Sequence, residues 1–345
     1  MLKEIDVSTA LALDPIFIDV RSETEHQEAC IPSAINIPLF SDEERKQVGI
    51  VYKQQGFDPA RLLGLDIVAP KLPEMVRQIK ALSDKRPIVL YCWRGGLRSQ
   101  AVASILQLMG IDVYRLIGGY KAYRRHVNEF FNQAKLPYQA VVISGLTGVG
   151  KTELLTELKS IGGSVIDLEG LANNRGSVFG SIGLGAQPSQ KDFEARLFHD
   201  FIKLGHTSVF AVECESKRIG RIVLPPILWN SMQEGLKVLV FTSIKERVQR
   251  LMRIYTSDDQ DSLEGCRQAI QSLKDRLGHE RINRLLEALD HGSIDEVVEE
   301  LLVDYYDPLY RYPDQPDDSY HLSVDTTDIK QAAYQIKAFM DSLEK

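Results

Sequence analysis

The stretch AVVISGLTGVGKT, residues 140–152, decides the fold of the larger part of this chain. Its first five residues, Ala140–Ser144, are a mostly apolar run of strand length, and a helical pattern follows over Glu153–Ser160. Between them the glycines satisfy G-x-x-x-x-G-K-[ST], and a strand before and a helix after supply the context that gives this pattern meaning. Backbone N–H groups around Gly145, Thr147, Gly148 and Gly150 are expected to cradle a di- or triphosphate. Lys151 would then meet the terminal phosphates, and Thr152 would face Mg²⁺.

Toward the C-terminus, Ser164–Leu168, Val209–Glu213 and Lys237–Thr242 read as further strands, each separated from the next by helical sequence. Short apolar strands alternating with helices specify a mostly parallel sheet covered on both faces. Val209–Glu213 ends in a carboxylate, which makes Glu213 the candidate to hold Mg²⁺ with Thr152. Glu215, Asp167 and Glu169 are similar candidates, and a plain solvated acid is the alternative for each. Lys217, Arg218 and Arg221 follow closely, and Arg218 joins the candidate phosphate-binding set. Arg247, Arg250 and Arg253 recur on one helix face, either a solvated surface or a clamp for phosphates. Beyond them Leu263–Leu302 and Ile329–Leu343 read as polar helix, with an irregular Pro/Asp/Tyr stretch at 307–320.

Toward the N-terminus, a polar helix over Tyr120–Ala134 is broken at Lys135–Pro137, which divides the chain into domains of residues 1–134 and 139–345. In the first, PIFIDV (15–20), PIVLY (87–91) and Val113–Ile117 are strands. Helices are expected at Leu72–Leu82 and at Ser99–Met109, the latter closed by Gly110. The fold class is α/β throughout, with a helical C-terminal part. YCWRGGLRS (91–99) sits at the carboxyl end of a strand, where open parallel sheets bind ligands. Gly95 and Gly96 relax the loop so that N–H groups converge, and the next helix adds its positive N-terminus. Such a cradle stabilises a thiolate at Cys92 and binds an oxyanion. Arg94 and Arg98 add donors, and Ser99 is placed to cap the helix. The alternative is that Cys92 is a small buried apolar residue.

Composition bounds these readings. A chain of 345 residues is longer than one core needs, and 44% hydrophobic with 26% charged is ordinary globular usage. No apolar run approaches the roughly 18 residues of a membrane span, and MLKEIDVSTALALDP is too short in apolar sequence for a signal peptide. A cytoplasmic location without a membrane partner is expected. Cysteines 30, 92, 214 and 266 show no C-x-x-C pair or metal-like spacing, so an important cysteine acts as a lone thiol. Net charge −7 excludes a surface coated in basic residues, and a polyanion must use a focused site.

The cysteine loop resembles that of rhodanese domains, and three further segments agree over roughly residues 5–130. Asp19-Val20-Arg21 closes the first strand. CIPSAINIP (30–38) resembles H-I-P-G-A-x-N-I-P, with Cys30 and Ser33 in place of His and Gly. Leu116–Tyr120 resembles the Gly-Gly turn after the last strand. Single-domain sulfurtransferases of this type often read C-x4-R, whereas Cys92 and Arg98 are spaced C-x5-R, as in cysteine phosphatases. A rhodanese cysteine in a phosphate-sized loop points to a phosphate-bearing chalcogen donor, a description that selenophosphate fits.

A rhodanese-like domain ahead of a P-loop NTPase-like domain, with GGYKAYR (118–124), LEGLANNRGS (168–177) and ECESKRIG (213–220), resembles the bacterial tRNA 2-selenouridine synthases over nearly the whole chain. That family's third motif has His before Arg-Gly-Ser where this chain has Asn174, a change that a recognition or packing role tolerates. The resemblance implies replacement of sulfur by selenium in wobble 2-thiouridine, after S-geranylation from geranyl diphosphate. It implies selenium transfer from selenophosphate through Cys92 within the Arg94/Arg98 cradle. No tightly bound cofactor is implied; Lys151 and a candidate Mg²⁺ would stabilise the departing diphosphate. The tRNA anticodon loop is the implied partner. Lys121, Arg124 and Arg125 form the nearest basic cluster, and Trp93, Tyr120 and Tyr123 are candidate stacking surfaces. A linker helix with a wet basic face explains that cluster equally well. A P-loop kinase or NTPase with a regulatory rhodanese module is the rival reading. A cysteine phosphatase would leave the P-loop unexplained.

Overall fold

The structure, a computed structural model, describes residues 2–82, 86–175, 185–255 and 260–344. It divides into two compact units, Met1–Asn132 with Glu194–Phe198, and Gln133–Phe193 with His199–Lys345.

In the first unit, strands β1 (Lys3–Ile5), β2 (Ile16–Asp19), β3 (Ile35–Asn36), β4 (Ile88–Tyr91) and β5 (Val113–Leu116) form one sheet. Its order is β1-β5-β4-β2-β3, and every pair is parallel. All four residues of β2 and of β4 are buried, as expected for strands covered on both faces. The core joins Ile18 and Leu90 to Ile79, Ala103 and Leu106 of the flanking helices. The helix Leu97–Leu108 starts directly after the cysteine loop, and Gly110 follows its end at φ +73°.

Two expectations change here. The helix Gly119–Phe131 is not simply polar: Tyr120, Tyr123, Val127 and Phe131 are buried at helical spacing. Lys121 and Arg125 are exposed, whereas Arg124 lies partly buried one turn from Tyr120. Ser33, at φ +64°, is the third residue of a turn closed by Ala34 N–H donating to Ile31 O at 3.0 Å. With Pro32 second, that is a turn whose third position favours glycine. This is the physical reason a Gly is usual there.

In the second unit, strands β6 (Gln139–Ser144), β7 (Val165–Ile166), β8 (Val209–Glu213), β11 (Leu236–Phe241) and β12 (Leu322–Asp325) form a sheet of order β12-β11-β6-β8-β7, again parallel throughout. A separate hairpin joins β9 (Arg218–Ile219) to β10 (Ile222–Val223). The chain leaves β6 toward one edge and later returns to fill the other, so the end of β6 is a topological switch point. The following helix Lys151–Ser160 packs Leu154, Leu155 and Leu158 into the core with Ala332, Ala333 and Ile336 of the helix Ile329–Leu343.

The stretch read as polar helix contains the short helix Lys274–Leu277 and three longer amphipathic helices with a core of their own. Gln260–Ser272, His279–Asp290 and Ile294–Leu301 meet through Ile270, Leu273, Leu285 and Leu301. The supposedly irregular stretch begins with a helical turn, Asp307–Tyr310, continuing from the π-helical turn Leu302–Tyr306. Among the described residues no helix is long and apolar enough to cross a membrane.

Candidate active site

Cys92 follows β4 at the floor of its loop and is 3% exposed. Its Sγ accepts from Ser99 Oγ at 3.3 Å, and the same hydroxyl lies 3.2 Å from Gly96 O. Ser99 is therefore not the helix cap that its position promised. Gly96 caps the helix, and Ser99, two residues inside it, serves the sulfur instead. Gly95 sits at φ +62°, where a Cβ would lie 2.7 Å from Leu116 O and 2.9 Å from Gly118 N. Gly119, at φ +58°, would push a Cβ to 2.2 Å from Cys92 O. Tyr120 N–H donates to Cys92 O and Lys121 N–H to Trp93 O, both at 2.9 Å, and Arg115 donates to Gly95 O. The Gly-Gly turn thus holds the cysteine loop by direct backbone contact, which no side chain at either glycine permits.

The two arginines of the loop differ. Arg94 is exposed. Arg98, read from the sequence as a cradle donor, bonds Glu25 with Nη1–Oε2 at 2.6 Å and Nη2–Oε1 at 3.2 Å. Burial pushes the Glu25 carboxyl up, but Arg98 and Arg45 outweigh it and leave the group below its ordinary value. Beneath the sheet end, Arg21 donates to Asp19 at 2.6–3.0 Å, to Ala29 O at 2.8 Å, and lies 4.3 Å from the Tyr120 ring centroid. His26 Nδ1 is 3.0 Å from Asp19 Oδ2. The Asp19 hydrogen bond, then Cys30, raises its pKa to about 9. The Asp-x-Arg pair is a buried strut rather than a ligand group.

The second loop follows β6. Gly148 and Gly150 take φ +81° and +88°, and a Cβ on Gly145 would lie 2.2 Å from Val240 O. Lys151 Nζ donates to Gly145 O at 2.9 Å and Leu146 O at 3.3 Å, arching over the loop. Burial lowers its pKa, against the pull of Glu169 and Glu215. The arginine face is neither of the things it was read to be. Arg247 and Arg250 are 3% and 5% exposed and brace the loop's carbonyls. Arg247 Nε donates to Thr147 O at 2.7 Å while its Nη atoms bond Asp307 at 2.5 and 2.9 Å. Arg250 Nη1 donates to Val149 O at 2.8 Å, and Thr326 Oγ1 does so at 2.6 Å. Carbonyls fixed by outside donors favour peptide planes whose N–H groups face the cradle, the polarity a phosphate needs. Arg253 is exposed.

Acidic residues gather at the same loop. Glu213 is 1% exposed; its Oε1 accepts from Glu169 N–H at 2.7 Å, and its Oε2 is buried with no hydrogen-bond partner among the described residues. Burial, with Asp167 nearby, pushes this carboxyl well above its ordinary value. Thr152 Oγ1 bonds Glu169 Oε2 at 3.0 Å. Burial and Glu169 push Glu215 to about 8. An orphaned buried carboxylate oxygen, a hydroxyl and neighbouring carboxylates are the hard donors that suit Mg²⁺, so the residues fit the ion. Among the described residues no three His, Cys, Asp or Glu side chains form a metal site alone, so water and substrate oxygens would complete the shell.

One wall of this region was not foreseen. Tyr312 donates to Cys214 Sγ at 3.2 Å and stacks on Tyr310, centroids 6.3 Å apart and planes at 11°. Tyr310 stacks in turn on Tyr306 at 6.4 Å. The signal was present as YDPLYRY (306–312), masked by the Pro and Asp that read as loop.

The remaining candidates are dispersed. Arg218 is exposed on the β9–β10 hairpin. Lys121 and Arg125 are exposed on their helix, whereas Arg124 is paired with Glu194. Tyr120 and Tyr123 are 1% exposed and closed to a base; Trp93, at 38%, is open. Asn174 is buried and donates its N–H to Glu169 O at 3.1 Å, while Gly176 and Ser177 of that motif lie outside the described residues.

A cysteine loop on a rhodanese-like parallel sheet, joined to a P-loop α/β domain with a helical C-terminal part, defines a two-domain enzyme class. The family described as "Rhodanese-like domain" matches residues 6–126, and that described as "tRNA 2-selenouridine synthase AAA domain" matches residues 138–338. Proteins named tRNA 2-selenouridine synthase are similar over most of the chain. That of Pseudomonas syringae pv. syringae (strain B728a) is 36% identical over 336 residues, 88% of this chain and 90% of the relative. That of Pseudomonas aeruginosa (strain LESB58) is 38% identical with the same coverage, and that of Bordetella bronchiseptica (strain ATCC BAA-588 / NCTC 13252 / RB50) is 38% identical over 332 residues. The chain belongs to the tRNA 2-selenouridine synthase family.

Proposed function

We propose that this chain converts wobble 2-thiouridine of tRNA to 2-selenouridine, alkylating the sulfur at one loop and exchanging it for selenium at the other. A tRNA substrate also places it in the cytoplasm. In the first step the thiocarbonyl sulfur attacks C1 of geranyl diphosphate. A C–S bond forms, the C–O bond breaks, the base loses its N3 proton and diphosphate departs. Lys151 and the loop N–H groups stabilise that leaving charge, and a Mg²⁺ held by Thr152 and Glu213 would supply further positive charge there. Alkylation turns the sulfur into a leaving group.

In the second step selenium of selenophosphate attacks C2, and geranylthiolate leaves. Electron count then decides the role of Cys92. Carrying selenium as Cys–S–Se⁻ would leave phosphorus with the bonding pair, as phosphite. Attack of the Cys92 thiolate on phosphorus breaks the P–Se bond, frees 2-selenouridine and forms an S-phosphoryl cysteine, which water returns to thiol and phosphate. This second course balances without a reductant or oxidant. The observation that carries the reading is the Cys92 sulfur on the floor of a C-x5-R glycine loop, 3.3 Å from the Ser99 hydroxyl.

Mass spectrometry of nucleosides from thiolated tRNA incubated with geranyl diphosphate and selenophosphate tests it. Cys92→Ala is expected to keep geranylation and to stall at the Se-phosphoryl nucleoside without releasing 2-selenouridine, and Lys151→Ala to lose both modifications. ATP or GTP hydrolysis with unchanged nucleosides would overturn the proposal in favour of a P-loop NTPase. A trapped Cys92 adduct that shows selenium's isotope pattern and carries no phosphorus label would overturn the phosphoryl role.

A further inference from the structure

We infer that one face of the helix Asp42–Gln55 is a docking surface for the RNA strand flanking the reacting base, with Gly49 at its point of closest approach. This placement rests on the tRNA reading above and adds where the polynucleotide lies. Gly49 is a glycine that the fold does not require. It sits at mid-helix, where glycine is among the least favourable residues. A Cβ there would meet nothing within 4 Å, so no packing neighbour forbids a side chain. No residue of this helix is buried. Its start is secured by a reciprocal cap, Glu44 N–H donating to Ser41 Oγ at 3.3 Å and Ser41 N–H to Glu44 Oε2 at 2.8 Å. What a missing side chain offers on such a surface is room for a ligand to approach the backbone.

The walls of that gap select the ligand. Residues three and four places before and after Gly49 share its face, and they are Lys46, Arg45, Tyr52 and Lys53. All four are exposed. Among the described residues Lys46 and Lys53 have no ion-pair partner. Of the acids in the first turn, Asp42 accepts from Thr24 Oγ1 at 2.6 Å and Glu44 bonds Lys71. Glu43, six places from Gly49, lies about 120° round the helix. Beyond the helix end Phe57 stands edge-on to Tyr52, centroids 6.3 Å apart, and carries the Arg61 guanidinium 3.8 Å over its ring. Exposed rings interleaved with cations suit RNA with unpaired bases, since the cations hold phosphates and the rings stack on bases. A second copy is a poor match. Two such helices crossing antiparallel at Gly49 would set Arg45 of one against Lys53 of the other.

The face also leads to the reactive sulfur. Arg45 Nε lies 3.5 Å from Glu25 Oε2, and the same oxygen accepts from Arg98 Nη1 of the Cys92 loop at 2.6 Å. Arg45 to Lys53 spans about 12 Å along the helix, so a strand laid on this face runs toward the loop.

Fluorescence anisotropy of a labelled anticodon stem-loop RNA with the full chain tests this. Gly49→Gln fills the gap with a residue of better helix propensity. It is expected to weaken RNA binding at least tenfold while raising, not lowering, the denaturant midpoint. Lys46→Gln combined with Lys53→Gln, both exposed, should make the slope of log affinity against log salt shallower by about 1.4–1.8. Unchanged affinity in folded Gly49→Gln, or an unchanged salt slope in the lysine variant, overturns the docking surface and leaves the tRNA reading standing. Unchanged affinity with an altered sedimentation coefficient would give the face to a second copy instead. An unaltered chain that binds no RNA sinks the tRNA reading itself, and this surface with it.

Discussion

Glu25 holds Arg98 by two hydrogen bonds, 2.6 and 3.2 Å, across 73 residues of sequence. The arginine that the C-x5-R spacing marks as an anion ligand is thus already partnered, and an incoming phosphate must compete with a carboxylate for it. Glu25→Gln is expected to tighten inorganic phosphate binding at the Cys92 loop about three- to tenfold, because a partly exposed pair of this kind holds about 1 kcal/mol. Calorimetry with phosphate decides the matter. Unchanged affinity would mean that Arg98 belongs to the scaffold and not to the cradle.

Ser33→Gly should stabilise the protein. The turn Ile31–Ala34 places Ser33 at φ +64°, which costs a side chain about 1 kcal/mol, partly offset by the greater freedom of glycine in the unfolded chain. A net gain of about 0.5 kcal/mol is expected in denaturant unfolding. A loss would show that the Ser33 side chain contributes something the backbone geometry does not reveal.

His26 makes stability fall on the alkaline side. Its pKa rises from 6.5 to about 9 in the folded protein, beside Asp19 and Cys30. The folded state therefore holds the proton more tightly. The contribution is complete below about pH 6.5 and lost as pH climbs through 9. His26→Gln should lower stability by about 1–3 kcal/mol at pH 6 and much less at pH 9.5. Parallel stability curves for the two proteins across that range would contradict the assignment.

Mg²⁺ binding should release protons. Glu215 is raised to about 8, so it is largely protonated at neutral pH until a cation arrives, and burial likewise favours the protonated form of Glu213. Titration of Mg²⁺ in buffers of different ionisation enthalpy should show about one proton released at pH 7, and Glu213→Gln should diminish the release. Metal binding without proton release would move the ion away from Glu213.

Both loops were legible in the sequence because each is a local device. A strand, glycines and a helix follow one another in order, and Cys92, Lys151 and Thr152 stand where that order puts them. The central strands β2, β4, β6 and β8 were legible for a related reason: burial on both faces demands unbroken apolar runs. The edge strands β1 and β3 were not, since three and two residues carry too little pattern and are strands only by virtue of a neighbour. The same holds for β12. Of the site, the missing parts were those set by distant contacts. Nothing local ties Arg98 to Glu25, Ser99 to a sulfur rather than a cap, or Tyr312 to Cys214.

The bracing of the P-loop by Arg247, Arg250 and Thr326 has a consequence for anyone dissecting this protein. The motif occupies eight residues, yet the groups that set the direction of its peptides lie 100, 101 and 177 residues downstream. A fragment ending near residue 240 would contain the whole signature and most of the sheet while lacking the splint that gives the loop its shape. Silence from such a fragment in a ligand-binding assay would report a missing splint, not a missing site.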